Sequence, residues 1–311
     1  MGLIVDGMLE LPYGLHGAHL RVDLSLRLGR RRLRDAIVNH LLHPLWRGVI
    51  VESERLLDPR TRAAAALLAA GPDAVLTGAT AAALHGCVAV TATTTHVVVP
   101  YSCRFRGRNG LVTHRGSYFA DDVVVRDGLR MLSLERVTAD ILCDERPSNA
   151  LALADEVLRR AGDDHEPTRR RILEHIRRRH AIGDIRGTVR GSDLLDLASP
   201  RAESTAESWL RMILVEHGFP LAEVNWPLCD LEGREVYRLD LAWPSLRIAV
   251  EYDGYAAHVG RERADQDRYE DLRRRGWLVV RAGSADLADA KRLTSELRAA
   301  FTRRGYSWMA A

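Results

Sequence analysis

The sequence predicts a mixed α/β protein built from two parts. Apolar residues at helical spacing alternate with short runs rich in β-branched residues, so neither an all-helical nor an all-strand fold is indicated. A chain of 311 residues is longer than one typical core supports, which favours two domains. We expect an N-terminal α+β part, followed by a C-terminal part in which a mixed sheet is flanked by helices.

Composition excludes several classes of protein. No apolar run reaches the roughly 18 residues that span a bilayer, and the N-terminus lacks a basic segment followed by an apolar one. We therefore expect a cytoplasmic protein without membrane contact. The four cysteines form no C-x-x-C pair, so neither a disulfide framework nor a zinc site is predicted. The net charge of +3 permits a nucleic-acid partner without requiring one.

Arginine is weak evidence for function in this chain. Lys291 is the only lysine among 45 basic residues, which indicates coding bias. A run of arginines is therefore by default a solvated helix face, and a functional role needs a second observation.

The first 190 residues contain helices and strands in mixed order. The predicted elements are a helix over 24–43 and an extended run 46–51, helices over 60–70 and 81–86, strands at 94–100, 110–114 and 123–125, and helices over 133–143, 148–161 and 167–180. The glycine-rich stretch 183–191 is predicted to be a connector. The domain boundary is expected between this connector and Pro200.

Three short motifs in this region resemble the AbiEi-type antitoxin and regulator family. They are Trp46-Arg-Gly-Val-Ile, Thr80-Ala-Ala-Ala-Leu-His-Gly86 and Leu132-Ser-Leu-Glu-Arg-Val-Thr-Ala-Asp140. The resemblance implies an α+β domain over 1–190 that begins with a winged helix and binds DNA or a protein partner. The alternative is a packing domain in which His85 and Arg136 are structural.

A carboxylate stands out on the apolar face of a helix predicted over 203–216. Glu207 lies three residues before Leu210 and seven before Leu214, on the stripe that should face a core. An acid is unexpected there. The ordinary explanation is an ion pair with Arg211 one turn away, and the functional one is a metal ligand.

Two strands, 236–243 and 246–253, are joined tightly around Pro244 and predict a hairpin. If the turn is Ser245-Leu246, counting back from it places Asp240 directly opposite Glu251; a longer turn would change this register. Like charges in that position destabilise a sheet unless a cation lies between them.

Alternation along the second strand places Glu251 and Asp253 on the same face. We therefore expect several acids to converge. Carboxylate oxygens suit Mg²⁺ or Mn²⁺, and such ions activate water and neutralise charge on a phosphodiester. Hydrolysis of a phosphate backbone is the corresponding reaction.

Seven elements of the C-terminal part, in order, resemble a Vsr-like branch of the PD-(D/E)xK nucleases. They are Glu207, Arg238-Leu-Asp-Leu-Ala-Trp-Pro244, Val250-Glu-Tyr-Asp-Gly254, His258, Asp265-x-x-Arg268, Leu272 and Gly276-Trp-Leu-Val-Val-Arg281. The resemblance implies a restriction-endonuclease-like domain over 200–311. It also implies that Asp240, Glu251 and Glu207 bind Mg²⁺ or Mn²⁺.

One departure from the family pattern affects the chemistry. A lysine commonly stands two positions after the second acid, where this chain has Asp253. Its role would pass to metal, water or His258, which suits general acid–base chemistry at neutral pH. The alternative for His258 is a loop histidine that hydrogen-bonds the carboxylates. The predicted catalytic set is Glu207, Asp240, Glu251, Asp253 and His258.

A polar helix over 261–275 follows, and a strand over 277–282 is expected beside the hairpin. Arg261, Arg263 and Arg268 are the predicted phosphate contacts. A solvated face is the default alternative, and Arg268 has a second one, a pair with Asp265 or with the site acids.

The sequence thus predicts a metal-dependent DNA endonuclease, in phage defence or DNA repair. The alternative is a non-catalytic DNA-binding regulator of the antitoxin type, whose C-terminal domain keeps the nuclease fold as a binding platform.

Overall fold

The computed structural model describes residues 14–253 and 262–308, without the side chains of 262–265. The chain divides into two compact units, Met1–Asp140 and Ile141–Ala311. Both units combine sheets with flanking helices, so the predicted mixed α/β class is confirmed. Among the described residues, no helix combines the length and the apolar character needed to cross a membrane.

A small antiparallel sheet opens the first unit. Its elements in chain order are β1 (Ala18–Leu20), α1 (Arg21–Leu28), α2 (Arg30–Val38), β2 (Leu42–Trp46) and β3 (Val49–Glu52). The strands lie in the order β1-β3-β2. Leu24 of α1 and Leu33 of α2 are buried against Ile50 of β3, which gives this sheet a core of its own.

The prediction of one continuous helix over 24–43 is wrong. Gly29 has a φ of 79°, a left-handed conformation that ends α1 before α2 begins. The helical stripe is broken as a result, and Leu26 is 80% exposed. Strand β2 also begins earlier than expected, at Leu42, because an edge strand tolerates the missing amide hydrogen of Pro44.

A larger mixed sheet completes the first unit. Its elements are α3 (Pro59–Ala70), β4 (Val75–Leu76), α4 (Gly78–Leu84), β5 (Thr95–Val99), β6 (Leu111–Arg115), β7 (Val123–Arg126), β8 (Leu129–Leu132) and α5 (Leu134–Asp144). The strand order is β6-β5-β4-β8-β7. The predicted helices and the three predicted strands of this region are confirmed, whereas β4 and β8 were missed because they are too short to show a period.

Two residues singled out in the first unit have structural partners. The Nε2 atom of His85 is 2.8 Å from the carbonyl oxygen of Leu132. Arg136 donates to the carboxylates of Asp122 at 2.9 Å and Asp140 at 3.1 Å. These contacts favour packing roles for both residues.

The second unit contains a four-stranded sheet between helices. Its elements are α6 (Pro147–Ala161), α7 (His165–Ala181), α8 (Thr188–Leu197), α9 (Thr205–Glu216), β9 (Glu223–Cys229), β10 (Glu235–Trp243), β11 (Ile248–Tyr252), α10 (Glu262–Arg274), β12 (Leu278–Ala282), α11 (Ser284–Ala288) and α12 (Lys291–Arg303). The strand order is β12-β11-β10-β9. Strands β9, β10 and β11 are antiparallel neighbours, and β12 runs parallel to β11 as expected for the strand beside the hairpin.

Both faces of this sheet are covered. Leu210 of α9 and Phe301 of α12 share a buried cluster with Val250 of β11. Leu272 of α10 shares a second cluster with Ala242 and Ala249. Since both faces are covered here, Glu251 of β11 is buried among apolar groups.

The predicted boundary between residues 190 and 200 lies inside the second unit. Helices α6, α7 and α8 belong with α9 and the sheet, because a buried polar contact joins α6 to α9. Arg211 donates to both carboxylate oxygens of Asp155, at 2.7 and 2.6 Å, and Ser208 donates to the same acid at 2.6 Å. Breaking a buried ion pair by removing one partner typically costs about 3–5 kcal/mol.

Gly187 caps α8 and lies against the backbone of Cys143, in the last turn of α5, which is part of the second unit. Its φ is 67°, and a Cβ atom at this position would overlap the carbonyl group of Cys143. Gly183 has a φ of 84° but no atom within 4 Å of such a Cβ. Alanine substitutions at the two glycines therefore distinguish the cost of a left-handed backbone, which both share, from the cost of steric overlap, which only Gly187 has.

We predict that Gly187→Ala lowers the free energy of unfolding by more than Gly183→Ala does. A left-handed alanine costs about 1–2 kcal/mol at either position. Overlap with Cys143 should add about 1–3 kcal/mol at position 187 alone. Urea unfolding of the two variants measures the difference, and equal losses would contradict the close contact.

Candidate functional site

The hairpin of β10 and β11 has the predicted register. Leu241 pairs with Val250 and Trp243 with Ile248, and one more step along the ladder places Asp240 opposite Glu251. The turn is a single 3₁₀ turn, Pro244–Leu246. The amide of Arg247 donates to the carbonyl of Pro244 at 3.1 Å, so β11 begins at Ile248 while the pairing of the two acids is kept.

Glu251 is buried and Asp240 is half-buried, and the loss of water changes the ionisation of both. Glu251 is 4% exposed. Desolvation raises the pKa of Asp240 to about 6 and that of Glu251 to about 7, against opposing contributions from the backbone amide of Tyr252 at Asp240 and from Arg268 at Glu251. Repulsion between like charges adds to this rise. Glu207 raises the pKa of Asp240, and Asp240 raises the pKa of Glu251. At neutral pH the pair therefore holds a proton easily or attracts a cation.

Arg268 of α10 supplies positive charge at this pair. Its Nη2 atom donates to Glu251 Oε1 at 2.5 Å and to the carbonyl of Arg238 at 2.8 Å. Its guanidinium group lies 5.6 Å from the centre of the Tyr237 ring. The sequence left several roles open for Arg268, and the structure shows one of them, the ion pair with a site acid. Contact with phosphate stays a prediction.

Glu207 has an explanation that the sequence analysis missed. Ser204, Thr205, Ala206 and Glu207 form an S-x-x-E pattern, which is typical of a helix start. Ser204 accepts the Glu207 amide at 3.1 Å, and the Glu207 carboxylate accepts from Ser204 Oγ at 2.8 Å. The predicted alternative, an ion pair with Arg211, is not made in this structure because Arg211 binds Asp155.

Asn225 links Glu207 to the hairpin. It lies in β9, opposite Asp240 when the pairs Leu239–Trp226 and Leu241–Val224 are extended inward. Its φ of 47° is left-handed, a conformation that asparagine tolerates better than most residues. Its side-chain amide donates to Glu207 Oε2 at 2.8 Å. The only sequence signal for Asn225 was a polar residue in an otherwise apolar stretch.

Asp253 forms an ion pair with an arginine that the sequence did not indicate as its partner. Its carboxylate forms an ion pair with Arg281 of β12, the residue whose register partner is Glu251. The Arg281 guanidinium lies 4.9 Å from the centre of the Tyr269 ring. The position where the family pattern has a lysine is thus occupied by an acid bound to an arginine from the neighbouring strand.

Three predicted site residues cannot be placed in this geometry. His258 and Arg261 lie outside the described residues. Arg263 lies in α10, but its side chain also lies outside them. Their roles stay predictions.

The acids form a pair rather than a larger cluster. In the part of the chain that the structure describes, no three Asp, Glu, His or Cys side chains are grouped so as to hold a metal ion. Mg²⁺ nevertheless binds proteins through one or two carboxylates and completes its shell with water and phosphate oxygens. The opposed, desolvated oxygens of Asp240 and Glu251 fit an ion of that kind.

We predict that the acid pair makes the metal-free protein less stable as pH rises. The folded pKa values lie above the ordinary values of the two acids, so the protonated pair favours the fold at low pH, and this stabilisation is lost as pH passes through about 6 to 7. For either acid, a rise in pKa of this size corresponds to about 3 kcal/mol. In EDTA, thermal unfolding of Asp240→Asn should therefore depend less on pH between 5 and 8 than that of the wild type.

Asp289→Asn is the matched control, because Asp289 is a surface acid paired with Lys291 and its pKa is lowered. Its unfolding should follow the wild-type curve over this range. If Asp240→Asn also follows that curve, Asp240 and Glu251 do not ionise as a strained pair.

The fold and the site define a mixed α/β protein with a partly desolvated, arginine-flanked carboxylate pair. Two proteins of Mycobacterium tuberculosis are similar to it, the uncharacterized protein Rv2248 of strain H37Rv and the uncharacterized protein MT2308 of strain CDC 1551. Each is 31% identical over 254 residues, which cover 81% of this chain and 89% of the relative. The chain belongs to the family of these mycobacterial proteins. No family model matches it.

Proposed function

We propose that the second unit is a divalent-metal-dependent DNA endonuclease that hydrolyses phosphodiester bonds, in defence or DNA repair. The observation that carries the proposal is the pair of half-buried Asp240 and buried Glu251, directly opposed in the hairpin and flanked by arginines. Two facing acids cost folding energy that apolar side chains at the same positions would not cost. A functional cation is a physical reason to keep them.

Asp240 and Glu251 would hold Mg²⁺ or Mn²⁺. Such an ion supplies an activated water and neutralises charge on a phosphodiester. Glu207 would be a positioning residue. It accepts a hydrogen bond from Asn225, and Asn225 lies opposite Asp240 in the sheet. A carboxylate with three hydrogen-bond donors is held in one orientation, as a positioning group must be; the donors are the Glu203 amide, Ser204 Oγ and Asn225 Nδ2.

Arg268 and Arg281 would bind the phosphate that is attacked. Guanidinium groups match phosphate oxygens in charge and geometry. Both arginines already contact site acids, Glu251 and Asp253 respectively, so a phosphate at the pair would lie within reach of them. This arrangement puts positive charge at the site without the lysine of the family pattern. His258 stays the predicted proton carrier.

Residues on which the resemblance to Vsr-like nucleases rests come from four elements of the second unit. Glu207 comes from α9, Asp240 and Glu251 from adjacent strands, and Arg268 from the helix that follows. The proposal rests on this arrangement together with the acid pair.

The test is cleavage of supercoiled plasmid by the full-length protein with Mg²⁺ or Mn²⁺. We expect nicking by the wild type and a loss of about a hundredfold or more in Asp240→Asn and Glu251→Gln, since a bound ion contributes several kcal/mol to such reactions. Asp289→Asn should cut like the wild type.

DNA binding should survive in Asp240→Asn, because neutralising an acid does not remove phosphate contacts. A wild type that binds DNA but never nicks it with either ion would contradict the enzymatic proposal. Equal nicking by Asp240→Asn and the wild type would assign the activity to another site or to a contaminant.

A second candidate is a non-catalytic DNA-binding regulator. One observation favours it: α1, Gly29 and α2 form two helices joined by a tight turn, followed by the β2–β3 hairpin. Helix–turn–helix units, whose turn usually has about three or four residues rather than the single Gly29 here, place the second helix in the major groove. Here that helix exposes four arginines, namely Arg30, Arg31, Arg32 and Arg34.

For this candidate we predict that Arg31→Ala with Arg34→Ala weakens binding of duplex DNA and flattens its salt dependence. Each lost phosphate contact lowers the slope of log affinity against log salt by about 0.9. Fluorescence anisotropy at several salt concentrations measures this. The exposed Arg126 of β7 provides the control, Arg126→Ala, and equal slopes in both variants would remove the support for α2.

A further inference from the structure

Two histidines meet at the edge of the five-stranded sheet of the first unit. His96 lies in β5 and His114 in β6, the edge strand, which runs parallel to β5. His96 pairs with Val112 and Val98 with His114, so the histidines are diagonal neighbours on one face. His96 Nδ1 is 2.9 Å from His114 Nε2.

His96 is held in a fixed orientation by the chain around it. Its amide donates to Thr80 Oγ1 at 2.9 Å, and its carbonyl accepts from the Thr77 amide at 3.1 Å. Its Nε2 atom is 2.9 Å from Thr94 Oγ1. The imidazole also lies over Gly78, where a Cβ atom would be 3.5 Å from the ring. The Nδ1 atom is therefore directed at His114 by surrounding structure.

At this distance one ring donates an N–H to the lone pair of the other, so in the metal-free protein the two nitrogens share one proton. We propose that His96 Nδ1 and His114 Nε2 bind a divalent transition-metal ion of the zinc type. Imidazole nitrogen is a preferred ligand of such ions, at about 2.0–2.1 Å. Two nitrogens on a tetrahedral ion lie about 3.4 Å apart. The exposed His114 ring, now nearly parallel to the His96 ring with 5.2 Å between their centres, therefore has to turn to direct its nitrogen at the ion.

The contact between His96 Nε2 and Thr94 Oγ1 resembles the hydrogen bond that usually supports a metal-bound histidine. A metal-bound histidine usually donates its other ring N–H to a nearby oxygen, which fixes the tautomer. If His96 Nε2 donates to Thr94 Oγ1, the lone pair of Nδ1 faces His114. Because His114 is exposed, water molecules complete the coordination. Bound metal replaces the proton shared by the two rings and ties the edge strand β6 to β5.

This site is chemically distinct from the acid pair of the second unit. Two imidazoles select zinc-type ions, whereas the carboxylates of Asp240 and Glu251 suit Mg²⁺ and Mn²⁺. The inference does not depend on nuclease activity, and the two sites can be tested separately in one protein.

The experiment is isothermal titration of metal-free, full-length protein with ZnCl₂ and, in parallel, NiCl₂ at neutral pH. We expect the wild type to bind one ion at a site that His114→Ala and His96→Gln each weaken by roughly tenfold or more. The exposed His43 provides a matched control, His43→Ala, which should keep that site. Asp240→Asn should keep it as well.

Thermal unfolding gives a second readout. Zinc should raise the melting temperature of the wild type and of His43→Ala, but not of His114→Ala, because a ligand that binds only the folded state stabilises it. His114→Ala decides the matter if His96→Gln fails to fold. Zinc binding unchanged in His114→Ala, or lost in Asp240→Asn, would overturn the proposal.

Discussion

The second unit is organised around two like charges that face each other inside a hairpin. The turn from Pro244 to Arg247 sets the register, and the register brings Asp240 against Glu251. Burial on both faces of the sheet makes their ionisation costly. The groups around the pair offset that cost: an amide from β11 binds Asp240, and Arg268 of α10 binds Glu251. The sheet, the helix and the charges are therefore parts of one electrostatic arrangement.

The hairpin could be predicted because its determinants are local. A proline, a short turn and the period of two in a strand were enough to pair Asp240 with Glu251. Asn225 and Arg281 could not be predicted, because their positions depend on how β9 and β12 pair with the hairpin, and nothing near them in the chain specifies it. Glu207 was singled out by its place on the apolar face of α9. Its S-x-x-E pattern with Ser204, which also explains it, is a local signal that was overlooked.

The same division holds for the fold. Helices such as α3 and α6 were predicted well, because alanine- and leucine-rich runs that end at a glycine are local signals. The break at Gly29 was missed, because a glycine inside a helical pattern does not reveal its backbone conformation. The extent of the second unit depends on Asp155 and Arg211, which are 56 residues apart in the chain, and no local pattern announces such a contact.

The connection from β11 to β12 has a consequence for how the site assembles. The acid pair belongs to a hairpin that closes over a few residues, whereas Arg268 and Arg281 follow β11 and reach the pair only when β12 docks in parallel. Parallel pairing closes a longer loop than a hairpin does and is correspondingly slower. The repelling charges thus come together before their neutralising partners arrive. We expect this order to slow folding of the second unit at neutral pH, where the two exposed carboxylates are both charged until the arginines arrive.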